Sequence, residues 1–178
     1  VLCCDAPFID AETISASLEM HEKQNNAVTV ITAELDQPKG YGRIIRTKDG
    51  ISGIVEEKDA SAEQREIKEV NSGAYWFRTA DLISLLGKIT CDNAQNEYYL
   101  TDTIFLAIKE GKNAGAYKSE NADIIKGAND RKDLLALNDY ARMEVIGKHL
   151  ANGVEFICTD GVVIDRHVEI GAGTQILP

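Results

Sequence analysis

Long apolar runs, paired cysteines and a surplus of basic residues are all missing from this 178-residue sequence. No stretch approaches the roughly 20 apolar residues that span a bilayer, so no membrane partner is expected. Lys and Arg number 19 against 29 Asp and Glu, a formal net charge of −10. That balance argues against a nucleic-acid partner, whose backbone is held by neutralising phosphates, and leaves a small anionic substrate in need of a metal ion or local donors. The four cysteines, Cys3, Cys4, Cys91 and Cys158, have neither zinc-site spacing nor the framework of a secreted domain. Neighbours on a strand point to opposite faces, so Cys3 and Cys4 do not readily share a metal, and buried free thiols in a reducing cytoplasm are the expectation. What is present, 44% hydrophobic and 27% charged residues, suits a globular chain with one sizeable core.

Residues 1–4 read as a buried strand ending in a polar turn at Asp5, and residues 11–23 carry Ile14, Leu18 and Met20 on a helical period. The β-branched run AVTVITA at 27–33 suits a strand covered on both faces, as in a doubly wound α/β sheet. Strands at 42–46, 51–56 and 70–77 follow, with Lys48-Asp49-Gly50 as a hairpin turn, so this region is antiparallel. Helices are predicted at 80–86 and 100–110, the second capped by Thr101 or Asp102, then a strand at 114–117. Residues 131–152 form a long amphipathic helix with Leu134, Leu137, Tyr140, Ala141, Val145 and Leu150 on its apolar side, stopped by Gly153. Val162, Ile164, Val168, Ile170 and Ile176 then recur around Gly171 and Gly173, a spacing like the first coils of a left-handed β-helix; a fraying tail is the other reading.

Several polar residues sit where strands end. Asp5 is suited to hold Mg2+ against phosphate oxygens, or to serve as a turn residue. Gly42 allows close backbone approach to a ligand, or simply makes a turn. Glu56 ends an apolar strand and can accept hydrogen bonds from two sugar hydroxyls, while Glu57, Lys58 and Asp59 read as a solvated loop. Asn71 offers both a donor and an acceptor to a hydroxyl-rich ligand.

The motifs CCDAP (3–7), KGYGRI (39–44), GIVEEKDA (53–60), VNSG (70–73), NAQNEYYLTD (93–102) and GANDR (127–131), in this order, resemble a known family. It is the bifunctional N-acetylglucosamine-1-phosphate uridylyltransferase and glucosamine-1-phosphate N-acetyltransferase family of bacterial cell-wall synthesis, which supplies peptidoglycan and lipopolysaccharide precursors. The resemblance implies an incomplete nucleotide-diphospho-sugar transferase sheet of Rossmann-like α/β class at 1–130, with an antiparallel sugar-binding region. A linker helix at 131–153 and the start of a hexapeptide-repeat β-helix at 154–178 would follow. It implies Asp5 and Asn129 as ligands of a catalytic Mg2+. Cys3, Cys4, Asp5, Gly42, Glu56, Asn71, Glu97, Tyr99 and Asn129 would contact UTP, N-acetylglucosamine 1-phosphate or UDP-N-acetylglucosamine. A cytoplasmic homotrimer joined through the β-helix is the family form.

Two positions depart from the pattern: Cys4 stands where the family has glycine, and so does Asn96, a residue that tolerates left-handed backbone. The chain begins with Val1 rather than Met and stops at Pro178 as the repeat pattern starts, which reads as an interior piece of a longer protein. The family's glycine-rich triphosphate loop is not in it, so the isolated chain is expected to show negligible turnover. Rival readings are a nucleotidyltransferase for another sugar 1-phosphate, such as glucose 1-phosphate, and a non-catalytic sugar-phosphate-binding fragment.

Overall fold

The structure, a computed structural model, describes residues 1–178 as two compact units, Val1–Lys126 and Gly127–Pro178. In the first, α1 (Ala11–Lys23) precedes β1 (Val28–Glu34), the hairpin β2 (Arg43–Thr47) and β3 (Gly50–Val55), and the short α2 (Ala62–Arg65). Then come β4 (Glu69–Phe77), α3 (Thr79–Leu86), α4 (Asp102–Lys109), β5 (Ala114–Lys118) and a 3-10 turn at Ala122–Ile125. The five strands form one mixed sheet in the order β3-β2-β4-β1-β5. Only β1 and β5 pair in parallel, so the doubly wound pattern expected around residues 27–33 reduces to a single parallel pair beside antiparallel neighbours.

β1 is buried on both faces because its alternate side chains feed two cores. Val28 and Val30 join Ile44, Ile54, Tyr75, Leu85, Ile104 and Ala107 on one side, and Ile31 and Ala33 meet Val70, Ala74, Ile124 and Ile125 on the other. The register of β4 on β1 jumps from Val30↔Tyr75 to Thr32↔Asn71, so Ser72, Gly73 and Ala74 all lie opposite Ile31. This is a bulge, and it falls within the VNSG motif.

Some expectations need correction. Residues 1–5 form no buried strand: they are exposed, held by Val1 N donating to the Tyr75 carbonyl at 2.8 Å and Tyr75 N donating back at 2.9 Å. The thiols are not buried either, as Cys3, Cys4 and Cys91 are exposed and Cys158 is half-buried. In α1 the fully buried stripe is Thr13, Ser17 and His21, with Ile14, Leu18 and Met20 only flanking it. Those polar side chains are buried because each finds a distant partner. Thr13 bonds Ser119 at 3.2 Å, Ser17 accepts from Trp76 Nε1 at 2.9 Å, and His21 Nδ1 lies 2.9 Å from Thr29 Oγ1.

In the second unit Asp130 caps α5 (Arg131–Ala151), accepting from the Lys132 and Asp133 amides at 2.8 Å. The helix ends at Asn152, and Gly153 takes φ +85°. Its fully buried residues are Ile146 and His149, whereas Leu134 and Leu150 of the expected apolar side stay exposed. Arg142 donates from Nη1 to the Thr159 carbonyl at 2.7 Å, and β6 (Glu155–Phe156) pairs in parallel with β7 (Gln175–Ile176).

Leu85 is 0% exposed inside the first core and Leu135 is 70% exposed. Leu85→Ala is expected to cost about 2–5 kcal/mol through lost burial and a residual cavity, and Leu135→Ala to stay within about 0.5 kcal/mol. Urea unfolding of both variants checks the contrast.

Candidate functional site

The ends of β2, β3 and β4 and the start of α4 converge on one spot. Gly42, buried one residue before β2, has its backbone carbonyl bonded by Asn71 N at 2.9 Å. A Cβ built on Gly42 would lie 3.2 and 3.3 Å from the two carboxylate oxygens of Glu56, and 3.0 Å from Ile54 Cγ2. Its φ is not in the left-handed region, so this glycine is required by close approach and not by a turn. Three of the residues singled out from sequence, Gly42, Glu56 and Asn71, are therefore neighbours.

Glu56 is half-buried, and its Oε1 accepts a hydrogen bond from Thr101 Oγ1 at 3.1 Å. Burial pushes its carboxyl above the ordinary range; the Thr101 hydrogen bond pulls it down, while the charges of Asp102 and Asp59 push it up further. Thr101, expected as a helix cap, makes no side-chain cap bond because its hydroxyl serves Glu56 instead. Asp102 is raised as well, by burial and then by Asp59. On β4, Asn71 Oδ1 accepts the Gly73 amide at 2.9 Å, and its side chain hydrogen-bonds the Tyr75 hydroxyl. Burial drives the Tyr75 phenol far above its usual value, so it stays a neutral hydroxyl.

The presumed solvated loop is structured. Asp59 accepts the Ala94 amide at 2.9 Å and the Tyr99 hydroxyl at 3.3 Å, Lys58 bonds Gln95, and Gln95 Nε2 donates to Tyr99 at 2.8 Å. These bonds fasten the NAQNEYYLTD segment to the end of β3, which brings Tyr99 toward Glu56. Asn96 takes φ +52°, the left-handed conformation anticipated for it. Glu97 is held only through its backbone, by Asn93, and its side chain is exposed. Cys3 Sγ donates to the Gly73 carbonyl at 3.3 Å, which sets it beside the bulge, while Cys4 and Asp5 form an exposed turn.

Asp5 enters no hydrogen bond or ion pair, so both carboxylate oxygens are free. In the second unit the Asn129 backbone amide donates to Asp133 at 3.0 Å and its side-chain oxygen is exposed. A free carboxylate like that of Asp5 is the kind of oxygen donor that Mg2+ takes, a cation that keeps several waters and few protein ligands. No group of three or more His, Cys, Asp or Glu side chains is arranged to hold a metal ion.

A family profile described as nucleotidyl transferase matches residues 1–134. The chain belongs to the nucleotidyl transferase family. It is 46% identical over 179 residues to a protein of Acetivibrio thermocellus named "Bifunctional protein GlmU", matching 100% of this chain and 39% of the relative. It is 44% identical over 178 residues to the protein of the same name from Syntrophotalea carbinolica, over 100% of this chain and 38% of that one. The chain thus spans well under half the length of these relatives. Among solved structures, a protein described as a glucose-1-phosphate thymidylyltransferase from Bacillus anthracis, determined with sucrose, matches with a TM-score of 0.53. That match has 18% identity and covers 72% of this chain and 49% of the other, a likeness of fold. Among the residues gathered around Gly42 and Glu56, sequence reasoning missed Tyr75 and Thr101. Strand alternation from Asn71 through Gly73 was the signal for Tyr75; for Thr101 there was none stronger than its position before a helix.

Two outcomes test the electrostatics. Thr101→Val removes a hydrogen bond that lowers Glu56, so carboxyl 13C NMR is expected to show Glu56 titrating higher still. Because the folded carboxyl of Glu56 lies above its unfolded value, its contribution to stability is intact at low pH and lost as pH rises through the folded pKa. Glu56→Gln is therefore expected to melt higher than the parent at pH 7, with the difference vanishing near pH 4.

Proposed function

We propose that this chain is part of a uridylyltransferase that makes UDP-N-acetylglucosamine from UTP and N-acetylglucosamine 1-phosphate. The observation that carries the reading is the convergence of Gly42, Glu56 and Asn71, which gathers a carboxylate and a side-chain amide beside one glycine. The names of the relatives and the order of the motifs support the same choice.

In this reading a phosphate oxygen of the sugar 1-phosphate attacks the α-phosphorus of UTP; a new P–O bond forms and pyrophosphate leaves with its bridging oxygen. Glu56 accepts hydrogen bonds from sugar hydroxyls, Asn71 gives and accepts one, and Tyr99 with Glu97 lies along the pocket wall. Cys3 and Cys4 belong to the exposed N-terminal segment that would approach the nucleotide, where Cys4 would narrow the space a glycine leaves. Asp5 and Asn129 offer the oxygens that would hold Mg2+, which supplies neutralisation of phosphate charge when bound. None of these residues acts as a covalent nucleophile: the chain binds, orients and excludes water.

The organisation that accompanies this reading is a partial nucleotidyltransferase domain at 1–130, a linker helix at 131–153 and the first β-helix coils at 154–178. The parallel β6–β7 pair, twenty residues apart in sequence, supports the last element. A trimer built through further coils and a cytoplasmic location, where UTP is at hand, go with it.

Titration calorimetry of the chain with UDP-N-acetylglucosamine and with UDP-glucose tests the proposal. Glu56→Ala is expected to weaken UDP-N-acetylglucosamine at least about tenfold, as a lost charged hydrogen-bond acceptor would. Glu97→Ala should change it by less than about twofold. Affinity should rise with pH through the raised Glu56 pKa, since only the ionised carboxylate is a pure acceptor. Equal binding by parent and Glu56→Ala would remove the sugar assignment, and a preference for UDP-glucose would move the specificity to another sugar.

A further inference from the structure

Arg43 heads the side chains that are fully buried, at 1% exposed. A guanidinium does not shed its proton in a protein, so burial at this depth demands partners. It has three. Nη2 lies 2.7 Å from Glu57 Oε2, Nη1 bonds the Tyr41 carbonyl, and Nε and Nη2 reach the Arg65 carbonyl at 3.4 Å. Glu57 Oε2 also accepts the Gly40 amide at 3.2 Å; that bond and then Arg43 hold the carboxyl below its usual range. One ion pair thus ties together the loop before β2, the end of β3 and the end of α2.

Arg43 and Glu57 each follow directly on a residue of the candidate sugar site, Gly42 and Glu56. Strand alternation sends adjacent side chains to opposite faces. In the β2–β3 ladder Arg43 is paired with Val55 and Ile44 with Ile54, so Gly42 and Glu56 face each other one step further along. The separation of β2 and β3 at that end sets how closely the Glu56 carboxylate lies over Gly42, near enough that a Cβ on the glycine would come within 3.2 Å of it. The Arg43–Glu57 pair fixes that separation from behind. A buried ion pair is weak evidence for stability, because apolar residues of similar volume pack as well or better, but it does impose one geometry.

We propose that Arg43 and Glu57 are positioning residues, an ion pair on the back of the sheet that holds the Glu56 carboxylate over Gly42 in the sugar-binding position. The proposal rests on the reading of Gly42, Glu56 and Asn71 as a sugar site, and its test separates the two. Glu57→Gln keeps an acceptor for the Gly40 amide and removes the charge. In the 178-residue chain without ligand, it is expected to shift the Gly42 and Asn71 amide signals and the Glu56 carboxyl titration. With ligand, it is expected to weaken UDP-N-acetylglucosamine about tenfold per folded molecule. Arg43→Lys keeps the charge but loses the fork to the two carbonyls, and should move the same signals by a smaller amount; it serves as the test if Glu57→Gln does not fold. Restoring the pair in reverse, Arg43→Glu with Glu57→Arg, should recover part of the affinity lost by either change alone.

A lowered urea midpoint with unmoved Gly42 and Glu56 signals, and affinity within twofold of the parent, would make the pair structural only and overturn the proposal. If the parent chain binds no UDP-sugar while Glu57→Gln still moves the Glu56 titration, the positioning role stands and the sugar reading falls.

Discussion

The register of β4 on β1 is the constraint on which the rest of the site depends. Three residues, Ser72, Gly73 and Ala74, stand opposite Ile31, and a bulge of that size strips backbone groups of their ladder partners. Side chains of the same motif supply replacements. Ser72 Oγ donates to the Ile31 carbonyl at 2.7 Å, and Asn71 Oδ1 accepts the Gly73 amide. Gly73 takes φ +78°, and a Cβ there would meet Cys3 Sγ at 2.9 Å, so glycine is required both by conformation and by contact. The asparagine–serine–glycine run is therefore a bulge motif first. Its effect is to swing Asn71 toward Gly42 while Tyr75, four residues on, returns to the core.

The acidic surplus is handled unevenly, and the unevenness marks the site. Burial pushes the Glu69 carboxyl up, yet Arg46, at 2.6 and 2.7 Å, and Thr32, at 2.6 Å, bring it below its ordinary range. Glu57 has Arg43. Glu56 receives a neutral hydroxyl and no cation, with Asp59 and Asp102 adding to its burden. A folded chain tolerates such a carboxylate at some loss of stability, which in the proposed reading the hydroxyl donors of a ligand would offset. The same local negative charge would repel a sugar phosphate or nucleotide unless cations are close by, which is why free oxygens suited to Mg2+ at Asp5 matter to the proposed chemistry.

Much of the first unit was legible from sequence because local signals carried it. The Lys48-Asp49-Gly50 turn needed a residue at positive φ, and Gly50 takes φ +122°. The strands expected at 27–33 and 70–77 are found at Val28–Glu34 and Glu69–Phe77. What was missed depends on partners far along the chain. The buried stripe of α1 is polar, invisible to an apolar period, because Thr13, Ser17 and His21 are satisfied by Ser119, Trp76 and Thr29. Thr101 looked like a cap, since capping is the local use of a threonine before a helix, and a carboxylate 45 residues away outcompeted it. Arg43 reads as an ordinary strand residue until the end of β3 and the end of α2 close over it.

Gly42 shows how geometry explains a glycine that sequence leaves open. As a turn residue it would have needed left-handed backbone; its φ lies elsewhere, and the space its missing Cβ leaves is occupied by the Glu56 carboxylate. Alanine there would press on both Glu56 and Ile54, and Ile54 is buried, so the flexible carboxylate is the group that would yield. Backbone at Gly42 and side chain at Glu56 thus form a single unit, each defining where the other can be. Asn71 locks onto the Gly42 carbonyl from the opposite strand, and Thr101 holds Glu56 from the helix side. Gly42, Glu56, Asn71 and Thr101 then meet although none is close to another in sequence, which makes the cluster a property of the completed sheet.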